Sequence, residues 1–269
     1  MATVASLHVY PVKSCRGITL EQARLTPAGL EHDREWMIVT PAGRFITQRD
    51  LPRMALIGTA LTADALVLDA PGMTTLPVPF AWQPEVAREV VVWKDRVAAF
   101  DMGEVAASWV SEFLARPLRL VRFDSAHRRL ANLDRTGGVE APTRFPDAYP
   151  VLIISRASLA DLNSRLEEPV PMNRFRPNVV LDGVGPYAED AAHEFVGNGV
   201  NLRMVKPCIR CIITTTDQDT GEQRGAEPLR TLKTYRFDRA LKGVLFGHNA
   251  IVIEGDSLRT GQVLTLRMR

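Results

Sequence analysis

Between residues 6 and 93 the sequence is cut into short apolar, β-branched runs, each closed by Pro/Gly turn signals such as Pro41-Ala42-Gly43. This punctuation leaves room for strands but not for long helices. Strands are expected over 6–12, 36–40, 55–61, 65–69 and 90–93, a spacing that suggests a barrel or sandwich. The period then changes: Val105, Ala106, Trp109, Val110 and Phe113 share one helical face behind Asp101, a residue suited to cap a helix over 101–114. A further strand over 118–123 ends this part. The four tryptophans, Trp36, Trp82, Trp93 and Trp109, read as core.

Residues 124–150 turn polar and carry Gly137-Gly138, Pro142, Pro146 and Pro150, which marks a boundary between units 1–123 and 124–269. The segment is far longer than an ordinary loop, so it reads equally as a lid, a binding loop or a plain connection. After it an apolar run, 151–154, precedes a helix in which Leu159, Leu162 and Leu166 share a face and Ser158 with Asp161 resembles a capping box. Strand patterns follow at 178–181, 200–205, 209–215, 249–253 and 263–267, without an internal repeat. The fold class expected is a β-rich α+β protein with a few helices.

Lysine and arginine total 33 against 31 acidic residues, a net charge of +2, which lacks the footprint of a nucleic-acid-polymer binder. Local basic clusters can still hold a small anion. Three cysteines are too few and the wrong parity for a secreted disulfide framework. The N-terminus has no basic-then-apolar leader and no run approaches the ~20 apolar residues of a membrane span, so a cytoplasmic protein with no membrane association is expected. With no heptads, a monomer is expected.

The most conspicuous chemistry is Cys208-Ile209-Arg210-Cys211, with Lys206 nearby. A structural zinc site lacks a second ligand pair, and a thioredoxin-like dithiol lacks its helix, since 209–215 reads as a strand. Two ordinary buried cysteines, or one thiolate binding a soft metal, stand beside those readings. Two basic segments, Lys13-Ser14-Cys15-Arg16 and Asn173-Arg174-Phe175-Arg176-Pro177-Asn178, can each present several donors to a phosphate or face solvent as charged turns. Asp217, Asp219 and His248 are acid–base candidates whose bland alternatives are Asx-turns and a structural imidazole. Hydrolase triads, phosphate-binding glycine loops and dinucleotide fingerprints are missing.

Several motifs in order, Tyr10-Pro11-Val12-Lys13-Ser14-Cys15, Asp33-Arg34, Phe175-Arg176-Pro177-Asn178, Arg210-Cys211 and the run from Thr215 to Gly221, resemble the MOSC family. That family is named for the C-terminal domain of molybdenum cofactor sulfurase, here with its N-terminal β-barrel domain, and the likeness is greatest to its amidoxime-reducing branch. The resemblance implies an N-terminal barrel-like domain packed on a MOSC barrel and an oxidoreductase that reduces N-hydroxylated compounds with a molybdenum cofactor. It further implies Cys211 as the metal ligand. Lys13, Ser14, Arg34, Tyr149, Arg176, Asn178, Arg210 and Asn249 would hold the cofactor, with Arg210 balancing its charge. Asn249 departs from the tyrosine of animal members. No further cysteine cluster accompanies the chain, so electrons would come from a separate electron-transfer protein or reductase. The competing class is a non-catalytic cofactor binder or a persulfide carrier on Cys211.

Overall fold

The computed structural model describes residues 1–82, 84 and 87–268. Seven strands close into a barrel in the spatial order Val151–Ser155, Val179–Asp182, Ala2–Val9, Val263–Met268, Ala192–Gly197, Val200–Ile209 and Gly243–Glu254. The last pairs back onto the first, with Leu152 opposite Asn249. Closure follows from alternation: Leu7, Ile153, Leu181, Phe195, Leu202 and Leu264 turn inward to form one core. Pairing is antiparallel except between Val151–Ser155 and Val179–Asp182, where Ile153 faces Val179. The helix Arg156–Asn163 makes that parallel crossover.

A four-stranded sheet (Trp36–Val39, Arg119–Phe123, Asp95–Asp101, Arg88–Val92) and a three-stranded meander (Gly58–Leu61, Ala65–Asp69, Leu76–Pro79) make up the other half. Trp109, Val110 and Phe113 of the helix Gly103–Leu114 share a core with Ile38, Leu66 and Leu120. The expected β-rich α+β class is what forms. Ala2–Val9, however, lies in the closed barrel against Val179–Asp182, with Leu7 opposite Val179, so the sheets interleave across residue 123.

Several local expectations change. The 55–61 run splits into a tight 3-10 turn, Pro52–Leu56, and the strand Gly58–Leu61, because Pro52 sets the first turn and leaves no amide to a ladder. The expected strand at 209–215 stops at Ile209. The 3-10 turn Ile212–Thr215 replaces it, with the Thr214 and Thr215 hydroxyls donating to the carbonyls of Cys211 (3.0 Å) and Ile212 (2.8 Å). Side chains that bond their own backbone compete with a ladder. The helix Arg156–Asn163 is capped by Ser155, whose Oγ accepts from Ser158 N at 3.0 Å, rather than by Ser158. Met102 is the cap residue of the first helix, while the Asp101 carboxylate accepts from Gly103 N at 3.0 Å. Trp36 and Trp109 are core, but Trp82 and Trp93 are each 49% exposed.

Residues 124–150 form a strap that folds back on the protein. Phe145 is buried among Met37, Val121 and Phe123, and Arg129 donates to the carbonyls of Arg144 (2.7 Å) and Pro146 (2.9 Å). These bonds hold the Pro146 to Tyr149 stretch against a cleft between the two halves.

Candidate functional site

Both halves contribute to one cleft of about 250 Å³. Lys13, Ser14, Arg34, Tyr149, Arg176, Asn178, Arg210, Cys211 and Asn249 all line it. Asp217, Asp219 and His248 do not. Asp217 makes the Asx-turn instead, its Oδ1 accepting from the amides of Asp219 (2.9 Å) and Thr220 (3.1 Å). His248 is sealed in the barrel, with Nδ1 3.3 Å from Asp190 Oδ1.

The floor of the cleft is a stack of cations. The guanidinium groups of Arg34 and Arg176 lie 4.4 and 4.3 Å from the centre of the buried Tyr10 ring, so two like charges share one aromatic spacer. Burial lowers Arg176 to about 10 while the Tyr10 hydroxyl opposes it, and burial raises Tyr10 itself. Arg34 donates to Asp33 Oδ2 (2.6 Å), Asn178 Oδ1 (3.1 Å) and the Arg176 carbonyl (3.1 Å). Asn178 spends its amide on Asp33 Oδ1 (2.9 Å) and the His8 carbonyl (3.2 Å), so its side chain is a joint between the halves rather than a free donor. Ser14, Arg34 and Arg176 all have left-handed backbones (φ 67°, 45° and 55°). Strain of this kind in non-glycine residues persists where surrounding contacts enforce it, commonly at binding sites.

Lys13 enters from the side. Its buried ammonium donates to the Phe145 carbonyl (2.8 Å) and to Asp147 Oδ1 (2.5 Å). Burial pushes Lys13 down and the Asp147 carboxylate resists. Burial alone would raise Asp147, but Lys13 and Arg49 hold it well below the usual carboxylate range. Cys15, two residues on, is fully enclosed and its thiol is pushed up to about 12 by burial, leaving it inert at neutral pH.

At the other end Cys208 and Cys211 are both half-buried free thiols. Arg210 does not face Cys211: it donates to Cys208 Sγ (3.0 Å) and to the Phe175 carbonyl (2.6 Å). The cation on Cys211 is Arg49, whose Nη2 donates to Sγ at 3.1 Å. Asn249 donates to the Lys206 carbonyl (3.1 Å), and Tyr149 packs with Ala131, Ala141 and Ile251. Among the described residues no group of three or more His, Cys, Asp or Glu side chains is arranged to hold a metal ion.

Residues 1–117 match the model of the MOSC N-terminal beta barrel domain, and residues 140–265 match that of the MOSC domain. The chain belongs to the MOSC family. This MOSC protein is 38% identical over 287 residues to "Mitochondrial amidoxime-reducing component 1" of Homo sapiens, covering 99% of this chain and 83% of the relative. The Mus musculus protein of the same name is 38% identical over 285 residues (99% and 82%). "Mitochondrial amidoxime reducing component 2" of Bos taurus is 35% identical over 275 residues (97% and 82%). Among the described residues no helix is long and apolar enough to cross a membrane.

Sequence reasoning missed Tyr10, Asp33, Arg49 and Asp147 as parts of the site. Tyr10 and Asp33 lay inside motifs already singled out. Arg49 and Asp147 sit in polar loops that resemble any surface turn, and only the fold brings them within 3.5 Å of each other.

Proposed function

We propose that this MOSC protein reduces N-hydroxylated small molecules, such as amidoximes and hydroxylamines, at a molybdenum cofactor held in the cleft. The observation that carries this reading is a pair of buried N–H groups, Arg176 Nη2 and Arg210 Nε, that have no partner among the described residues and belong to side chains lining the same cleft as a soft thiol. Unpaired buried cationic donors are costly unless an anion occupies the site. A phosphate-bearing dithiolene cofactor of molybdenum answers both demands, with Cys211 offering the sulfur that a soft metal prefers. The names of the relatives supply the substrate class.

When bound, the cofactor supplies a two-electron redox centre. The chain's own residues hold and orient it. Cys211 would hold the metal; Lys13, Ser14, Arg34, Arg176 and Arg210 would hold the anionic groups; Asn178 locks Arg34 to the second half. The overall change is R–NHOH + 2e⁻ + 2H⁺ → R–NH₂ + H₂O, with both electrons delivered by a separate electron-transfer protein or reductase. Asp147 is the carboxylate of the cleft and is held ionised. It therefore has no proton to give near neutral pH, and the protons arrive through solvent at the cleft mouth.

The test is molybdenum and pterin content of the wild type and of Cys211→Ser, both made in a cofactor-producing host, followed by benzamidoxime turnover with a chemical reductant. Stoichiometric metal and turnover in the wild type, both lost in Cys211→Ser, are expected. Metal absent from both, in a host that loads a control molybdoenzyme, overturns the reading; persulfide on Cys211 would then identify a sulfur carrier.

A further inference from the structure

The cleft holds two arginine–cysteine pairs, and chain adjacency suggests the wrong partner for Cys211. Arg210 precedes it but turns back to Cys208 and the Phe175 carbonyl. Arg49, from a loop of the other half, donates to Cys211 Sγ at 3.1 Å. Two groups hold Arg49 there. Its guanidinium lies 4.9 Å from the centre of the Trp93 ring. Asp147 Oδ2 stands 3.5 Å from Nη2. Asp147 is itself fixed by Lys13 Nζ (2.5 Å) and by Trp93 Nε1 (3.2 Å). The side chain of Arg49 is accordingly only 25% exposed.

Trp93 bears on the same point. It is half-exposed and has a left-handed backbone (φ 57°), a conformation that is a genuine outlier for a bulky residue. Backbone preference does not account for tryptophan here, and its one aromatic neighbour among the described residues is Phe45, met edge-on at 5.1 Å. A flat shelf for Arg49, with an indole N–H for Asp147, accounts for it.

We propose that Arg49 is the positioning residue of Cys211, orienting its Sγ toward the cleft and setting how much electron density that sulfur gives to a bound metal. The proposal rests on the molybdenum reading above. A hydrogen bond from a cation to a ligating thiolate draws charge off the sulfur, and such outer contacts tune metal–sulfur centres. Removing the bond leaves a stronger donor, which favours the oxidised metal. Arg49 Nη2 donates to the sulfur and pairs with the carboxylate while the guanidinium face rests on an indole; lysine brings a point charge without a flat face to stack.

The experiment is redox titration of the loaded protein, reading the midpoint potential spectroscopically, with molybdenum content as the loading check. Arg49→Met is expected to move the midpoint to more negative potential, and Arg49→Lys to move it part of the way. Lys206→Met removes another cleft cation that does not contact Cys211, and is expected to leave the midpoint in place. Should Arg49→Met fail to load, the shift in Arg49→Lys decides. An unmoved midpoint in the Arg49 variants, or an equal shift in Lys206→Met, overturns the proposal while leaving the molybdenum reading intact. Wild type without metal overturns the molybdenum reading and this proposal with it.

Discussion

Tyr10→Leu removes the spacer between Arg34 and Arg176 while keeping an apolar side chain in the core. Both guanidinium groups stack on the ring within 4.4 Å of its centre, and Tyr10 is 4% exposed. Desolvated cation–π contacts contribute about 2 kcal/mol each, and exposed ones about 0.5–1 kcal/mol. The pair is thus worth about 2–4 kcal/mol, discounted because the two contacts share one ring and are not additive. The loss adds to the repulsion of two positive charges now separated by an aliphatic group. Tyr10→Phe keeps the ring and is expected to stay within about 0.5 kcal/mol of wild type. Urea unfolding followed by circular dichroism reads the difference as a shift of midpoint at unchanged slope. Equal destabilisation of the Phe and Leu variants would refute the argument, since the hydroxyl and not the ring face would then matter. So would a Leu variant as stable as wild type.

Glu35 anchors a separate ion cluster with His32, Arg122 and Arg144. Burial pushes its carboxyl up, but the His32 ring and the guanidinium groups of Arg144 and Arg122 overcome burial and hold it at about 2 instead of 4.5. Its ionisation therefore contributes roughly 3 kcal/mol. A depressed carboxyl gives stability that is complete above pH 4.5 and lost as pH falls toward 2. Glu35→Gln should be less stable at pH 7 by an amount of that order, with the gap closing through this window; a gap independent of pH in chemical denaturation contradicts the assignment. Gly17→Ala should act through Tyr10, because a Cβ there would stand 2.5 Å from ring atom Cε1. Overpacking of that kind costs about 1–3 kcal/mol. A thermal melt that leaves Gly17→Ala unchanged would mean the ring moves freely and is not clamped by its two arginines.

Most strands were legible because they alternate, and alternation survives any tertiary context that buries one face. The failures lie where another force overrides the pattern. Thr214 and Thr215 are β-branched and suggest a strand, yet their hydroxyls bond back to the Cys211 and Ile212 carbonyls and wind the chain. Trp93 reads as core by composition, but its ring serves Arg49 and Asp147 at the surface. The strap from Asp124 to Pro150 has the composition of a loose connection. Its order comes from Phe145 and Arg129, whose contacts are with distant residues or with backbone carbonyls that no local period records.

The site divides along the same line. The nine residues that the resemblance implied all line the cleft, whereas Tyr10 and Asp33, inside the same motifs, were not among them. What it could not read is which cation serves which sulfur, since that depends on direction. Arg210 is adjacent to Cys211 in sequence, but its amide donates to the Val244 carbonyl and its side chain turns to Cys208. The vacancy this leaves beside Cys211 is filled from the other half of the chain by Arg49. A reciprocal amide pair between Gln48 and Gln218 (2.9 and 3.0 Å) fixes the loop beside Arg49 to the segment after Cys211. The cysteine end of the cleft is therefore completed only when the two halves dock, which makes their packing part of the chemistry.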